Sequence, residues 1–323
     1  MLIKIRIAAI ALTIGLVSAC VLGYFGTQFF LFEWFAHFKL VYFIAACVLC
    51  VVHLIFKQKL PLVLALITLP VNAIELLPAY AEKDKLFFSD HLITVAQINV
   101  HYRNHDISGL MALIQEEDPD ILSLVEIDAW WAENLARLID LYPYQKIIPQ
   151  DGPFGIAVLS KIEFQRLEPL VLDHTYKIVL WGEFNWGDQQ ITFVSAHTSP
   201  PLSPSLFNNR NGQYHNMVRV LKEKPRKLIF CGDFNSSRFS PPFKHMVRAL
   251  NLKNSRNGFG VLPTWPTYTL QPILDLDHCL VSDGIYVKNI YLGNSIGSDH
   301  LPLLLKLAIP DKLINNDLVT DAR

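Results

Sequence analysis

The chain has 323 residues, of which 51% are hydrophobic and only 18% are charged, with a formal net charge of −1 and a mean hydropathy of +0.29. This composition excludes a disordered chain, a collagen-like fibre and a disulfide-rich mini-protein. Residues 82–323 alone carry a net charge of −4, which argues against a strongly basic nucleic-acid-binding protein because affinity for phosphate backbones needs clustered Lys and Arg.

The first 81 residues contain three apolar stretches, at 5–24, 40–56 and 60–77. A membrane-spanning helix needs about 20 apolar residues, and the first two stretches meet this requirement. The third is weaker because Glu75 is costly inside a bilayer unless it lies near an interface. The first stretch is too long for the apolar core of a cleaved signal peptide, so residues 1–81 are predicted to be a retained anchor of two to three transmembrane helices.

Basic residues flanking the apolar stretches predict the orientation of the anchor. Lys4 and Arg6 precede the first stretch, and Lys57 and Lys59 separate the second from the third. Because cytoplasmic segments are enriched in Lys and Arg, both clusters are expected in the cytoplasm. Three crossings then leave the rest of the chain outside the cytoplasm, whereas a third stretch that fails to span would leave it inside.

Residues 82–91 are polar and predict a linker, and residues 92–308 predict one folded domain followed by a polar tail at 309–323. Strand patterns alternate with a few helical ones, which favours a layered α/β sandwich. The strands are expected at 92–100, 121–127, 155–160, 177–184, 190–197, 227–231, 276–282, 285–292 and 301–307. Helices are expected at 107–115, 130–141, from after Ser203 to 221, and at 242–250.

The five cysteines form no CxxC pair or zinc spacing in the soluble domain. Cys231 and Cys279 each sit in an apolar run and are interpreted as buried small hydrophobic residues. A disulfide framework is therefore not expected.

Polar groups that are expensive to bury alone interrupt or end several apolar strands. They comprise Asn99, Glu126, His197, Asp233 and Asn235 after Gly232, Asp277, and the pair Asp299 and His300. Each has an ordinary alternative, such as a turn residue or a structural ion pair. Together, acids, amides and imidazoles at strand ends predict one rim where hard oxygen ligands bind Mg²⁺. Zinc is not favoured, since there is no thiolate cluster and no HExxH sequence.

This ordered set, with Gly-Asp-Phe-Asn at 232–235 and Ser-Asp-His at 298–300, resembles the endonuclease/exonuclease/phosphatase (DNase I-like) family over about residues 92–308. Pro-Thr-Trp-Pro at 263–266 resembles bacterial membrane-anchored members. The resemblance implies a four-layer αββα sandwich of two mixed β-sheets, in an α/β (α+β) fold. The resemblance to bacterial membrane-anchored members, taken with the apolar stretches and their basic flanks, predicts a multi-pass protein of the bacterial inner membrane with an extracytoplasmic catalytic domain.

The resemblance further implies hydrolysis of a phosphodiester by in-line attack of water. Mg²⁺, with Mn²⁺ as an alternative, is expected on Glu126, Asn99 and Asp299. Asp233 is expected to orient or deprotonate the water, and Asn235 to hold the phosphate. Asp277 would fix the tautomer of His300, with His197 as a second donor. Val125 stands where AP endonucleases have Gln, which lowers the expectation of a DNA-repair enzyme.

The substrate stays open between a nucleic acid and a phospholipid-type ester, and no protein partner is implied. Arg210 is the residue of the basic stretch 210–227 expected near the substrate, because it follows the loop after His197. Two other classes remain: an inactive domain that binds a phosphorylated ligand or a protein at the membrane, and a small transporter subunit. Few intramembrane charges disfavour the transporter.

Overall fold

The computed structural model describes residues 1–81, 92–172, 177–224 and 227–310. The predicted linker at 82–91, and the predicted tail beyond residue 310, lie outside the described residues. Eight helices and twelve strands occur in the described ranges. The helices are α1 (Leu2–Tyr24), α2 (Phe30–Trp34), α3 (Lys39–Ile55), α4 (Lys59–Ala81), α5 (Ser108–Glu117), α6 (Ala129–Ala136), α7 (Pro204–Leu221) and α8 (Pro241–Ala249).

Two six-stranded mixed sheets form the centre of the domain. The first has the order β11 (Tyr286–Leu292), β12 (Leu303–Ala308), β1 (Leu92–Asn99), β2 (Ile121–Val125), β4 (Ile156–Ser160) and β3 (Tyr144–Ile148). The second has the order β5 (Phe164–Val171), β6 (Ile178–Trp186), β7 (Gln189–His197), β8 (Leu228–Asp233), β10 (Asp277–Val281) and β9 (Lys253–Asn254). One pair in each sheet is parallel, β1 with β2 and β7 with β8, and the other pairings are antiparallel.

The two sheets pack face to face through alternate apolar side chains, which is the period that a strand imposes. This inter-sheet core includes Ile93, Val158, Phe193, Ile229 and Leu305, all fully buried. Helices α5 and α6 cover the outer face of the first sheet, and α7 and α8 cover that of the second. The expected four-layer αββα sandwich is confirmed.

Strands β3, β5 and β9 were not predicted. All five residues of β3 are only partly buried, so that strand lacks the apolar run that reveals β2 and β8. The predicted helix at 130–141 ends earlier, at Ala136, and turns follow it.

Cys231 and Cys279 form a disulfide between β8 and β10, so the expectation of two isolated thiols was wrong. The two residues lie directly opposite each other in the antiparallel register. Forty-eight positions separate them in the sequence, and no local pattern predicts this pairing.

Helices α1, α3 and α4 form a small bundle around a core that includes Ala9, Leu16, Ala46, Leu49 and Ala65. Two of them, α1 and α4, are long and apolar enough to cross a membrane, and α3 is a shorter apolar helix of 17 residues. Their outer faces carry many exposed apolar side chains, among them Leu12, Val48, Leu54, Leu66 and Ile74.

The segment that joins α1 to α3 contacts the sandwich. Glu33 of α2 forms a fully buried ion pair with Arg210 of α7, at 2.5 Å between Oε2 and Nη2. At the end of α4, Glu75 pairs with Lys244 at 2.6 Å, and the carbonyls of Pro78 and Ala79 accept hydrogen bonds from Gly258 and Gly260. Glu75, the costly residue of the third apolar stretch, therefore has a cationic partner on the domain.

Candidate active site

The strand directions bring the polar strand ends to one rim. Parallel strands share their carboxyl ends, so Asn99 and Glu126 follow β1 and β2 at the same edge, and His197 pairs with Asp233 at the ends of β7 and β8. Antiparallel neighbours begin at that edge, so Asp277 at the start of β10 pairs with Asp233.

Glycine at position 232 permits this arrangement. A Cβ atom there would lie 2.2 Å from the carbonyl oxygen of Ala196 on β7, closer than any real contact. Only glycine lets β8 approach β7 this closely just before Asp233.

The first sheet contributes an amide and a carboxylate. Glu126 has a positive φ of 68°, a conformation that costs free energy for a non-glycine residue and is common at functional sites. The Asn99 side-chain amide donates to Glu126 Oε1 at 2.9 Å and to Asp233 Oδ2 at 3.1 Å. Asn99 thus links the carboxylates of the two sheets, while its own oxygen accepts from the backbone of His101 at 2.9 Å.

A carboxylate of the second sheet, Asp277, pairs with the imidazole of His300, which lies just before β12 of the first sheet. Nδ1 of His300 donates to Asp277 Oδ2 at 2.7 Å, which leaves Nε2 directed at Asp233 Oδ2, 3.8 Å away. Asp277 is fixed in turn by the Thr264 hydroxyl, which accepts from its backbone N–H at 3.3 Å. The imidazole tautomer and orientation are therefore set by buried neighbours.

Burial and charge set the pKa values of this group. Burial, together with the nearby charge of Asp277, raises the pKa of Asp233 to about 6. Burial works against a charged His300, but the carboxylates of Asp277 and Asp233 outweigh it and raise the pKa of His300 to about 10. Burial likewise opposes ionisation of Asp277, yet the charge and hydrogen bond of His300 lower its pKa. At neutral pH the ionised carboxylates of Asp233 and Asp277 thus lie beside the imidazolium of His300.

His197 and Asn235 complete the rim opposite His300. His197 Nε2 lies 3.7 Å from Asp233 Oδ2 and 3.3 Å from the Asn235 side-chain amide. Asn235 has a positive φ of 48°, and its amide also donates to the Thr198 carbonyl at 2.8 Å. The Asn235 amide nitrogen donates to His197 Nε2 in this arrangement, and both side chains lie beside the carboxylate of Asp233.

The rim fits a divalent cation. The Asp299 carboxylate accepts from the Trp265 indole at 3.1 Å through Oδ2, while its Oδ1 is buried with no hydrogen-bond partner among the described residues. An oxygen of this kind, with Glu126 and the other carboxylates nearby, matches the donors that hard cations prefer. Asp233, Asp277 and His300 also cluster closely enough to hold a metal.

These side chains surround a cavity of about 470 Å³, within the range of small-molecule sites. Glu126, His197, Asp233, Asn235, Asp299 and His300 line it directly. Asn99 and Asp277 lie behind this layer and hold lining groups by hydrogen bonds.

Sequence models of known protein families indicate the family to which the chain belongs. The sequence model of the Endonuclease/Exonuclease/phosphatase family matches residues 96–300. The chain belongs to this family. None of the curated proteins matches the chain. Members of this family act on phosphoester bonds and generally depend on a divalent metal. By its membership, the chain has the fold of a phosphoesterase.

Several solved structures share this fold at low sequence identity. The human nocturnin catalytic domain has a TM-score of 0.57 at 20% identity, over 68% of this chain and 95% of that one. D. rerio TDP2, solved with a single-strand DNA product, has a TM-score of 0.56 at 17% identity, over 68% and 100%. Sphingomyelinase C from Streptomyces griseocarneus has a TM-score of 0.52 at 17% identity, over 67% and 99%. These likenesses establish the family fold alone.

Arg210 does not join the family site. Its side chain is completely buried, and its guanidinium donates to Glu33 and Ser236 instead of lining the cavity. This corrects the expectation that Arg210 contacts substrate, because no face of the guanidinium is free for a ligand.

Three residues of the N-terminal apolar region contribute to the site and were not predicted to do so. Trp34, His37 and Phe38, between α1 and α3, also line the cavity. They stand more than 60 residues before the first family motif, inside an apolar region interpreted only as membrane anchor. No sequence signal distinguished them from other residues between two apolar stretches.

Proposed function

We propose that this protein is a membrane-anchored, Mg²⁺-dependent phosphoesterase that hydrolyses a phosphodiester by in-line attack of water. The observation that carries the proposal is the convergence of the Asp277–His300 pair, Asp233 and Glu126 around a single cavity. Hydrolysis of a phosphoester needs a base, a cation and fixed hydrogen-bond donors. This rim offers a base, ligands for a cation and donors around one cavity.

Asp233 acts as the base in this proposal. A pKa of about 6 leaves its carboxylate ionised at neutral pH yet close enough in basicity to accept a proton from water. Protonated His300, oriented by Asp277, donates from Nε2 to the phosphoryl group. His197 and Asn235 bind the remaining phosphoryl oxygens.

Glu126, Asp299 and Asn99 would hold the Mg²⁺, with Mn²⁺ as an alternative. The bound cation would neutralise charge on the phosphoryl oxygens and on the leaving group. The Asn99 amide nitrogen, not its oxygen, faces Glu126 and Asp233, so the side-chain amide would have to flip to offer its oxygen to a cation held beside these carboxylates.

The division of the chain in this proposal is a membrane anchor at 1–81, a linker at 82–91, a catalytic domain at 92–308 and a tail at 309–323. The protein would be multi-pass in the inner membrane of a bacterium, with the catalytic domain outside the cytoplasm. Contacts of α2 and of the end of α4 with the domain support this topology, since both ends lie opposite Lys4, Arg6, Lys57 and Lys59. The Cys231–Cys279 disulfide also suits an oxidising compartment.

The test is turnover of bis-p-nitrophenyl phosphate by the purified full chain, with Mg²⁺ and with EDTA. We expect EDTA, His300→Ala and Asp233→Asn each to lower kcat by at least about 10²-fold, because each removes a group needed at the phosphoryl centre. Both variants should still unfold in one cooperative thermal transition, which separates loss of activity from loss of the fold.

Matched controls are His215→Ala and Asp140→Asn, at exposed residues outside the cavity. They should retain wild-type rates. Near-normal activity of His300→Ala would refute the assignment, and a folded wild-type protein that turns over no phosphoester would favour a ligand-binding domain.

A further inference from the structure

The wall of the cavity above the catalytic rim is largely apolar. Besides the polar groups, the lining includes Phe154, Leu202 and Leu274 from the sandwich, and Trp34 and Phe38 from the anchor. This surface would not stabilise a wholly polar substrate, because burying a polar group against hydrocarbon costs free energy.

Specific contacts hold the anchor part of this wall in place. The Trp34 indole donates to the carbonyl of Pro201 at 3.2 Å. Nδ1 of His37 shares a hydrogen bond with the Ser237 hydroxyl at 2.8 Å, two residues after Asn235. The buried Glu33–Arg210 pair adjoins Trp34 in the sequence. The wall is therefore a fixed part of the site.

The described residues that form the wall contribute no cationic side chain of their own. Burial lowers the pKa of His37 to about 4, so its imidazole is neutral at physiological pH. Among the described residues, those that line the cavity include neither Lys nor Arg; the Lys177 ammonium lies against the ring of Phe154 but is not itself part of the lining. A polynucleotide track needs such cations along its phosphates.

The apolar wall continues into the apolar anchor. Trp34 and Phe38 lie in the short segment between α1 and α3, the two helices that start the bundle. Phe29 and Leu31 of this segment are exposed, and Leu202 on the cavity lining is 64% exposed. Exposed apolar side chains therefore occur both at the cavity and in the segment that supplies part of its wall, and an amphiphile in the outer leaflet would contact both.

We infer that Trp34, His37 and Phe38 bind the hydrocarbon part of a membrane-resident phosphodiester, so that the anchor is a component of the active site as well as a tether. This inference rests on the proposed phosphoesterase function and names its substrate class. The phosphodiester lies at the Asp233–His300 rim, and its chain lies against the anchor wall.

A chain-length series tests the inference with the reacting centre held constant. The full-length protein in nanodiscs is assayed on methyl, butyl and octyl p-nitrophenyl phosphate. In each reaction water adds to phosphorus, p-nitrophenol leaves, and an alkyl phosphate remains. We expect kcat/KM to rise at least tenfold from methyl to octyl, because burial of each methylene in the cavity favours binding of the longer ester.

Trp34→Ala should reduce the octyl-to-methyl ratio of kcat/KM at least fivefold, and Trp34→Phe should restore most of it by rebuilding an aromatic wall. Phe35→Ala is the matched control, since Phe35 lies in the same segment but does not line the cavity. The octyl-to-methyl ratio of Phe35→Ala should equal that of the wild type. Partition of the esters into the nanodisc would then not explain a lower ratio in Trp34→Ala, because it affects both variants equally.

Thymidine 5′-(p-nitrophenyl phosphate), a nucleotide ester with the same leaving group, represents the competing substrate class. The inference is overturned if chain length has no effect in the wild type, if Trp34→Ala leaves the ratio unchanged, or if the thymidine ester is preferred tenfold over the octyl ester. In each of these cases turnover persists and the phosphoesterase function stands. Absence of turnover for all four esters would instead refute the proposed function itself.

Discussion

At the scale of single residues, the site depends on charges buried next to one another. Asp233 faces both Asp277 and His300, so its carboxylate meets one like charge and one opposite charge in a poorly hydrated place. Burial raises the pKa of Asp233, whereas the surrounding carboxylates keep His300 protonated. A base and a cationic donor can therefore coexist 3.8 Å apart at neutral pH.

This arrangement predicts the pH dependence of the reaction. Activity should rise as the pH increases through about 6, because Asp233 loses its proton, and should fall as the pH passes about 10, because His300 loses its own. Asp277→Asn removes the largest charge that favours protonated His300, so the alkaline fall should move to lower pH. The profile of kcat/KM from pH 4.5 to 10.5 measures both limbs.

Asp140→Asn, which removes an exposed carboxylate, is the control for this profile and should leave both limbs in place. An alkaline limb that stays at its wild-type pH in Asp277→Asn would contradict the assignment of that limb to His300.

At the scale of elements, β8 and β10 hold the site together through register. The pairing that sets Cys231 opposite Cys279 also sets Asp233 opposite Asp277, two residues later in β8 and two residues earlier in β10. The disulfide thus ties the two strands directly behind the carboxylates of Asp233 and Asp277.

Replacing both cysteines, by Cys231→Ser with Cys279→Ser, should lower the free energy of unfolding by about 2–4 kcal/mol. The cross-link closes a segment of 48 positions and restricts the unfolded chain. Denaturant unfolding of the full chain in detergent, with and without reductant, measures the effect. Cys47→Ser, which removes an exposed free thiol, is the control and should unfold like the wild type. If reductant does not change the unfolding midpoint of the wild type, this result argues against the cross-link.

At the scale of the whole molecule, the anchor and the sandwich are joined by two ion pairs of different burial. Glu33 and Arg210 are completely buried, and Glu33 also accepts from the Ser240 hydroxyl at 2.5 Å. Glu75 and Lys244 remain partly exposed. Removing one partner of a buried pair leaves the other charge unpaired and away from water. In an exposed pair, water can solvate the charge that remains.

Glu33→Ala should therefore lower the free energy of unfolding by about 3–5 kcal/mol, and Lys244→Ala by no more than about 1 kcal/mol. Unfolding of both variants in one detergent gives the comparison, and Glu33→Gln keeps the shape while removing the charge. Equal effects of the buried and the partly exposed pair would contradict this account of the junction.

Three long apolar helices, α1, α3 and α4, precede the sandwich, and their number predicts the side of the membrane on which the sandwich lies. With Lys4, Arg6, Lys57 and Lys59 in the cytoplasm, three crossings place residue 82 outside. An alkaline phosphatase fused after residue 82 should be active in a bacterial host, because that reporter needs an oxidising compartment. A fusion after residue 57, on the opposite side, should be inactive; the reverse pattern would place the domain in the cytoplasm.

The residues of the catalytic rim could be predicted from the sequence because strands are local. A buried strand has a short apolar run, so a carboxylate or imidazole at its end stands out whatever the rest of the chain does. This is why Glu126, Asp233 and Asp277 were recognised, together with the sandwich fold. Strand β3, which is only partly buried along its length, offered no such contrast and was missed.

The sequence alone determined the sandwich, the family and the polar strand ends, because each is encoded in short segments with their own periodicity and spacing. Only the tertiary structure decided the contacts between distant segments. It paired Arg210 with Glu33 across 177 positions, joined Cys231 to Cys279, and brought Trp34 and Phe38 of the anchor beside the catalytic rim. Such contacts depend on how two separately patterned regions pack, and neither region alone carries a signal of its partner.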